Sequence, residues 1–262
     1  MRILLTNDDG VYAPGLRALR KELMKIGEVT VVAPATEQSA AGHSVTLTTP
    51  LIVQQILDED KKPLGWGVEG RPADCVKLAL RELLPHPPDL CVSGLNAGSN
   101  AGINIIYSGT CAAAIEAAFF RVTSIACSLE YTKLHPLDFG RGAALARAVI
   151  EQILAHRPAT GELFNVNVPA LEKGPVRGVL VRPQTVAPYV EKFDRRTDPR
   201  GRVYFWSTPV FSCPDPLPDT DVTALGEGYV TVTPLQFNLT DAARLERMGG
   251  WKWNLDGAGD GA

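Results

Sequence analysis

Residues 1–15, MRILLTNDDGVYAPG, set the reading of the whole chain. Positions 2–6 form a short apolar run, the length of a strand buried on both faces. The run stops abruptly in Asn7, Asp8, Asp9 and Gly10. Two adjacent carboxylates at the end of a buried strand are costly, because each needs a partner or must give up its charge. Successive strand side chains point to opposite faces, so Asp8 and Asp9 cannot converge while the chain stays extended. Gly10 lets the backbone turn. Both carboxylates then face one point, where a hard divalent cation answers their repulsion. The same residues also suit a plain strand-ending turn with solvated acids. Pro14 opens a helix, as proline does at a first helical position. Leu16, Leu19, Leu23 and Ile26 give it one apolar face, and Gly27 stops it. A buried strand, an acidic turn and a helix open a parallel α/β sheet, in which ligands bind outside the carboxyl ends of the strands.

Outward from this unit the pattern repeats. Residues 29–33 (VTVVA) form a second buried strand, followed by a polar loop, 34–44 (PATEQSAAGHS). Residues 51–57 and 66–69 suit two further strands, paired as a side hairpin. Pro72 starts a helix through Leu84, with Asp74 in its first turn, and Pro85, Pro87 and Pro88 end it. Residues 89–93 (DLCVS) are a strand, 109–120 a helix of small residues, 122–129 a strand and 137–155 a longer helix. Strands alternating with helices through short loops predict a Rossmann-like, doubly wound, mostly parallel α/β sheet with helices on both faces and right-handed crossovers. This core is expected over 1–183, with strands at 164–168 and 176–182, and residues 184–262 as a C-terminal extension. Within the extension, aromatic and charged segments flank the turn at 197–201 (TDPRG), which predicts a projecting hairpin arm over 186–207. Strands are expected at about 221–235. Trp251 and Trp253 are expected to dock a terminal helix, and 256–262 to be disordered.

Composition narrows the function. The chain has 262 residues, 45% hydrophobic and 21% charged, which suits one large α/β domain with an extension. A formal net charge of -3 gives no long-range pull towards nucleic acid or membrane, and stable binding to either is not expected. No run approaches the ~20 apolar residues of a membrane span, and Asp8 and Asp9 come too early for a secretion signal. The five cysteines are scattered, without a C-x-x-C, so a reducing cytoplasm is expected and a zinc site is not.

Three loops carry chemistry besides the first. In 37–44, Ser39 offers a hydroxyl for a hard metal or a phosphate oxygen, or is a turn residue. His43 beside it is a possible general acid, though a plain loop hydrogen bond suits it better. Residues 93–102 (SGLNAGSNAG) follow a strand and combine glycines with asparagines. Glycines let backbone N–H groups approach an anion, and carboxamide oxygens ligate hard metals. The stretch superficially resembles a dinucleotide loop, but glycines at 94, 98 and 102 fit that spacing poorly. The helix opening at Ser108-Gly109-Thr110 offers either a cap or an anion site. In a parallel sheet all these loops leave one edge, so Asp8, Asp9, Ser39, Asn96 and the Ser108 helix start are expected to share a cleft. Acids and neutral oxygens suit Mg²⁺, Mn²⁺ or Ca²⁺ over softer metals.

The motifs resemble those of the SurE survival-protein nucleotidases. The carriers are LLTNDDG (4–10) with APGL (13–16), APATEQSAAGHS (33–44), GRPADCVKLAL (70–80), PDLCVSGLNAGSNAG (88–102), YSGTCAAA (107–114) and GYVTVTPL (228–235), in that order. The resemblance covers nearly the whole chain. It implies a phosphatase of nucleoside 5′- and 3′-monophosphates, dependent on one divalent ion per subunit. Mg²⁺ or Mn²⁺ would fill that role, and Ca²⁺ could stand in within a crystal. The positions matching Asp8, Asp9, Ser39 and Asn96 would hold it. It also implies that the arm joins subunits into a homodimer or homotetramer. Catalysis then falls to Asp8, Asp9 and Asn96, and phosphate binding to Asn7, Ser39, Gly94, Asn96, Ser108, Gly109 and Thr110. In this scheme a metal-activated water attacks phosphorus and Asp9 accepts its proton. Attack by Asp8 itself, or a nucleotide-binding module without turnover, are the rival readings. Ala35 and Thr36 stand where the family usually has an acidic-basic pair, and Cys111 and Ala112 where it has Val-Gly. Neither change removes an implied ligand.

Overall fold

The computed structural model describes residues 1–58, 61–132, 136–213 and 215–254. The opening apolar run is β1 (Arg2–Thr6), and α1 (Pro14–Leu23) follows the acidic turn. The chain continues through β2 (Glu28–Pro34), β3 (Val53–Leu57), β4 (Pro63–Val68) and α2 (Pro72–Leu78). Then come β5 (Leu90–Ala97), α3 (Asn104–Tyr107), α4 (Gly109–Phe119), β6 (Ser124–Leu129), α5 (Phe139–Ala155) and β7 (Leu163–Val168). The remainder holds β8 (Val179–Val181), β9 (Val190–Thr197), β10 (Val203–Ser212), α6 (Asp221–Gly226), β11 (Val230–Leu235) and α7 (Ala242–Gly249).

Among the described residues, one nine-stranded sheet runs in the order β3-β4-β2-β1-β5-β6-β7-β11-β8. Its centre, β4 to β7, is parallel. β3 is antiparallel to β4, and β11 is antiparallel to β7. The strands read as unbroken apolar runs because both faces are covered. Ile3 and Leu5 of β1 pack with Val31, Val92, Ile125 and Val166 beneath α1 and α5. Leu4 points the other way, with Val32 and Cys91, into the layer under α2 and α4. Alanines 113 and 117 leave α4 thin enough to lie close on the sheet. The expected doubly wound α/β fold is therefore present.

Several boundaries differ from expectation. The helix from Pro72 is regular only to Leu78 and widens into a π turn, Ala79–Leu83, before the prolines. The side hairpin is the edge of the main sheet, since β4 pairs in parallel with β2. β5 runs four residues past Ser93, because a bulge at Gly94–Leu95 carries the strand beyond its apolar part. The strand expected over 176–182 shortens to three residues. The segment 221–235, read as strands, is a helix and then one strand: Asp221, Ala224 and Leu225 bury one helical face. The extension also returns to the core, for β11 lies between β7 and β8 in the same sheet. The hairpin arm is present as the separate antiparallel pair β9–β10. Trp251 and Trp253, expected to dock the terminal helix, stay largely exposed. Their rings meet, tilted, at 5.5 Å between centroids, and among the described residues α7 buries none of its side chains. The disorder expected at 256–262 lies outside the described residues.

Candidate active site

The strand order reverses between β1, whose next parallel neighbour along the chain is β2, and β5 on its other side. Open α/β sheets bind ligands at such a switch point, outside the carboxyl ends. The acidic turn after β1 and the glycine-asparagine loop at the end of β5 meet there. A cleft of about 480 Å³ is lined by Asp8, Asp9, Ser39, Asn96, Asn104, Tyr107, Ser108, Glu130 and Tyr131, together with residues 97–100.

The turn is rigid. Asn7 is fully buried; its Nδ2 donates to the Gly10 carbonyl (3.0 Å) and its Oδ1 accepts from the Gly10 N–H (3.2 Å). Gly10 has φ +100°, which its lack of a Cβ permits. Asp8 is buried against the start of α4, and Thr110 Oγ1 donates to its Oδ1 at 2.5 Å. Gly109 makes this approach possible, for a Cβ there would lie 2.7 Å from the Asp8 Cβ. Burial raises the Asp8 carboxyl above its ordinary range, and hydrogen bonds from the Thr110 side chain and backbone pull it partly back. Asp9 is less enclosed and its Oδ2 accepts from the Ala97 N–H at 3.3 Å. Burial first, and the Asp8 charge second, push it up to about 6. Two carboxylates raised in this way form a site short of positive charge.

The other donors are neutral oxygens. The bulge in β5 resets the strand alternation, so Leu95 joins the α1 face of the core while Asn96 lines the cleft. Asn96 Nδ2 donates to the Gly98 carbonyl at 2.7 Å, which turns Oδ1 the opposite way. Ser39 rides on a loop stitched to its surroundings by Gln38 N–H to the Asp8 carbonyl (2.8 Å) and Gly42 N–H to the Tyr107 carbonyl (3.0 Å). Its hydroxyl donates to Glu37 Oε1 at 2.5 Å. Ser108 caps α4, its Oγ accepting from the Cys111 N–H at 3.0 Å. This all-oxygen set fits a hard divalent cation. Among the described residues no group of three or more His, Cys, Asp or Glu is placed to hold a metal, so a cation here relies on two carboxylates and neutral oxygens.

Of the residues singled out in the sequence, Asp8, Asp9, Ser39, Asn96 and Ser108 meet in the cleft. Gly109 and Thr110 stand behind it, against Asp8. Asn7 and Gly94 lie outside its lining. Gly94 has φ +141°, and a Cβ there would come within 2.2 Å of the Cys127 carbonyl oxygen, so it serves the close approach of β5 to β6. His43 lies outside the cleft lining: Nε2 meets Glu116 Oε2 of α4 at 2.7 Å and the ring stacks on Phe119.

Sequence reasoning passed over Asn104, Glu130 and Tyr131, which line the cleft. It also missed the supports of the loop. Asn167 Oδ1 accepts from the Asn100 N–H at 2.8 Å, Asn165 Nδ2 donates to the Asn100 carbonyl at 2.7 Å, and Asn100 Nδ2 donates to Ser128 Oγ at 2.8 Å. The signal was available: Asn165 and Asn167 alternate in an otherwise apolar strand, LFNVNV, and both are fully buried.

A doubly wound α/β sheet with paired acids, neutral oxygens and a helix start at its switch point defines a class of α/β protein whose cleft chemistry suits a hard cation beside an anion. The comparison with known families narrows this class. The model of the family described as Survival protein SurE matches residues 3–191, and the chain belongs to that family. It is 53% identical over 254 residues to a 5′-nucleotidase SurE of Rhodopirellula baltica, covering 96% of this chain and 98% of the relative. It is 44% identical to a 5′-nucleotidase SurE of Syntrophobacter fumaroxidans, over 97% of this chain and all of the relative. The crystal structure of a SurE protein from Aquifex aeolicus superposes with a TM-score of 0.81 at 35% identity, covering 95% of this chain and 98% of that one.

Proposed function

We propose that this protein is a divalent-metal-dependent 5′-nucleotidase that hydrolyses nucleoside 5′- and 3′-monophosphates to nucleoside and phosphate. The observation that carries the reading is the pairing of Asp8 and Asp9 with the neutral oxygens of Ser39 and Asn96, in a cleft beside the start of α4. The names of the relatives support the substrate class.

Asp8, Asp9, Ser39 and Asn96 would hold the ion, Mg²⁺ or Mn²⁺ by donor chemistry. Such an ion polarises a phosphate oxygen and lowers the pKa of water. Burial of Asp8 and its bond to Thr110 suit it to a fixed ligand rather than a nucleophile, which favours attack by water. Asp9, nearer solvent, would take the water's proton as the new P–O bond forms, and that proton would pass to the leaving nucleoside oxygen as the ester P–O bond breaks. The N–H groups of Ser99, in the loop lining the cleft, and of Gly109 would be the donors to steady charge on the phosphoryl oxygens. The same reading places the protein in the cytoplasm, as a homodimer or homotetramer joined by the arm. Among the described residues no helix is long and apolar enough to cross a membrane.

The test is phosphate release from nucleoside monophosphates. Chelation should abolish it and Mn²⁺ or Mg²⁺ restore it. Full activity after exhaustive chelation, with no metal found by elemental analysis, would overturn the metal assignment. Metal-dependent nucleotide binding without phosphate release would replace the enzyme with a binding module.

A further inference from the structure

The loop that carries Asn96 is gripped at its far end by the C-terminal part of the chain. Asp221, at the first turn of α6, is fully buried. Its Oδ2 accepts from the Gly102 N–H at 2.7 Å, and its Oδ1 accepts from the N–H groups of Thr185 (2.9 Å) and Val222 (2.8 Å). Gln184 Nε2 donates to the Gly102 carbonyl at 3.0 Å, and Tyr189 Oη donates to the Ala101 carbonyl at 3.2 Å. Gly102 has φ +59°, and a Cβ there would lie 2.7 Å from Tyr189 Oη and 2.8 Å from Thr185 Cγ2. Two residues further on, α3 begins with Asn104, whose Oδ1 is buried without a hydrogen-bond partner, and it ends at Tyr107. Both line the cleft, as does Asn96 on the other side of the grip.

We propose that Asp221 is a positioning residue for the cleft: it latches residues 101–102 to the C-terminal segment and so holds Asn96 and α3 in the geometry that binds metal and phosphate. This rests on the nucleotidase reading of the site. A buried carboxylate is expensive to keep, and the hydrogen bonds that Asp221 accepts from Gly102, Thr185 and Val222 all come from backbone N–H groups, so what it secures is the path of three chain segments. Bonds to a charged acceptor are roughly twice as strong as neutral ones. Asp221 does not line the cleft and touches no reacting atom.

The substitution Asp221→Asn addresses one contact. The amide Oδ1 still accepts from Thr185 and Val222, while the new NH₂ opposes the Gly102 N–H. The latch then opens for part of the time, and the apparent affinity falls by the fraction of molecules still competent, with the saturated rate kept. KM for a nucleoside monophosphate with saturating Mn²⁺ should rise roughly ten- to hundredfold, the factor for one hydrogen bond to a charged group. The turnover number should stay within about threefold by the same population argument. Amide hydrogen exchange on the metal-free protein should quicken over 98–107 while β1 and β6 keep their protection. Tyr189→Phe, which removes one hydroxyl and little volume, should raise KM about threefold, as for a weak neutral bond.

Faster exchange confined to 98–107, with a KM-selective defect, supports the latch. Unchanged KM and exchange in folded Asp221→Asn overturn it, as does loosening of the whole sheet alike, which marks a merely structural carboxylate. If Asp221→Asn does not fold, unchanged KM and exchange in Tyr189→Phe overturn it. A parent protein without turnover removes the nucleotidase reading, and the exchange experiment still decides the latch.

Discussion

Asp8 and Asp9 are neighbours in sequence and unlike in surroundings. Asp8 is enclosed and answered by Thr110, whereas Asp9 is partly open and answered weakly by Ala97. Asp8→Asn removes both charge and a ligand, and should lower the rate of phosphate release by at least about a hundredfold, in line with losing one strong transition-state contact. Its metal-free melting temperature at neutral pH should rise, since a buried charge and its repulsion with Asp9 both go. Ser39→Ala should cost less, because the charge stays. Asp9 gives a pH signature. Its folded pKa of about 6 lies above its ordinary 3.8, so between those values the folded state holds more protons than the unfolded one. Its contribution therefore falls as pH rises through that window. The gain in melting temperature of metal-free Asp9→Asn over the parent should be absent below pH 4 and full above pH 6–7. Calorimetric Mn²⁺ affinity of the parent should weaken as pH drops below about 6, when protons compete for the ligand. These acids, Ser39 and Asn96 were legible because each ends a strand or sits in its following loop. Glu130 and Tyr131 were not, since residues just past an apolar strand are ordinary turn material until the fold shows which edge they share.

At the scale of elements, alternation and punctuation located most strands and helices, and the departures have local causes. β5 is the instructive one. Its apolar pattern ends at Ser93, and the bulge that carries it on to Ala97 comes from Gly94, a residue the pattern treats as a loop signal. Gly94→Ala should therefore cost more than about 3 kcal/mol in denaturant unfolding or prevent folding, because its Cβ has nowhere to go beside Cys127 and φ +141° is hostile to any side chain. Asn165→Ala should be milder, at about 1–3 kcal/mol by the same measurement, from the buried Asn100 carbonyl left without that donor. The α6 helix escaped the sequence reading because its six residues are too few to show a period.

At the scale of the whole molecule, the arm and α7 each carry exposed apolar surface. Phe193, Phe205 and Trp206 on the arm are 61%, 58% and 60% exposed, and Leu245 and Met248 on α7 face solvent. An isolated ribbon is marginal in water, and burial of each such aromatic contributes about 2 kcal/mol. Replacing residues 190–212 by a short Gly-Ser linker should give a monomer by light scattering, where the parent should scatter as a dimer or tetramer. The parent mass in that variant would place the interface elsewhere. The cut must begin after Tyr189, which the sequence alone groups with the arm but which holds the Ala101 carbonyl.

The slot that β11 fills between β7 and β8 bears on how this chain is made. Synthesis runs from the N-terminus, so β7 leaves the ribosome long before its outer neighbour at 230–235 exists. β8 emerges in between and has nothing to pair with until β11 arrives. During that interval β7 presents an unpaired apolar edge, the kind of template that recruits other chains. A nascent chain stalled near residue 183 should bind chaperones and aggregate when released, while one carried past 235 should not. Sedimentation of the two released products would show the difference.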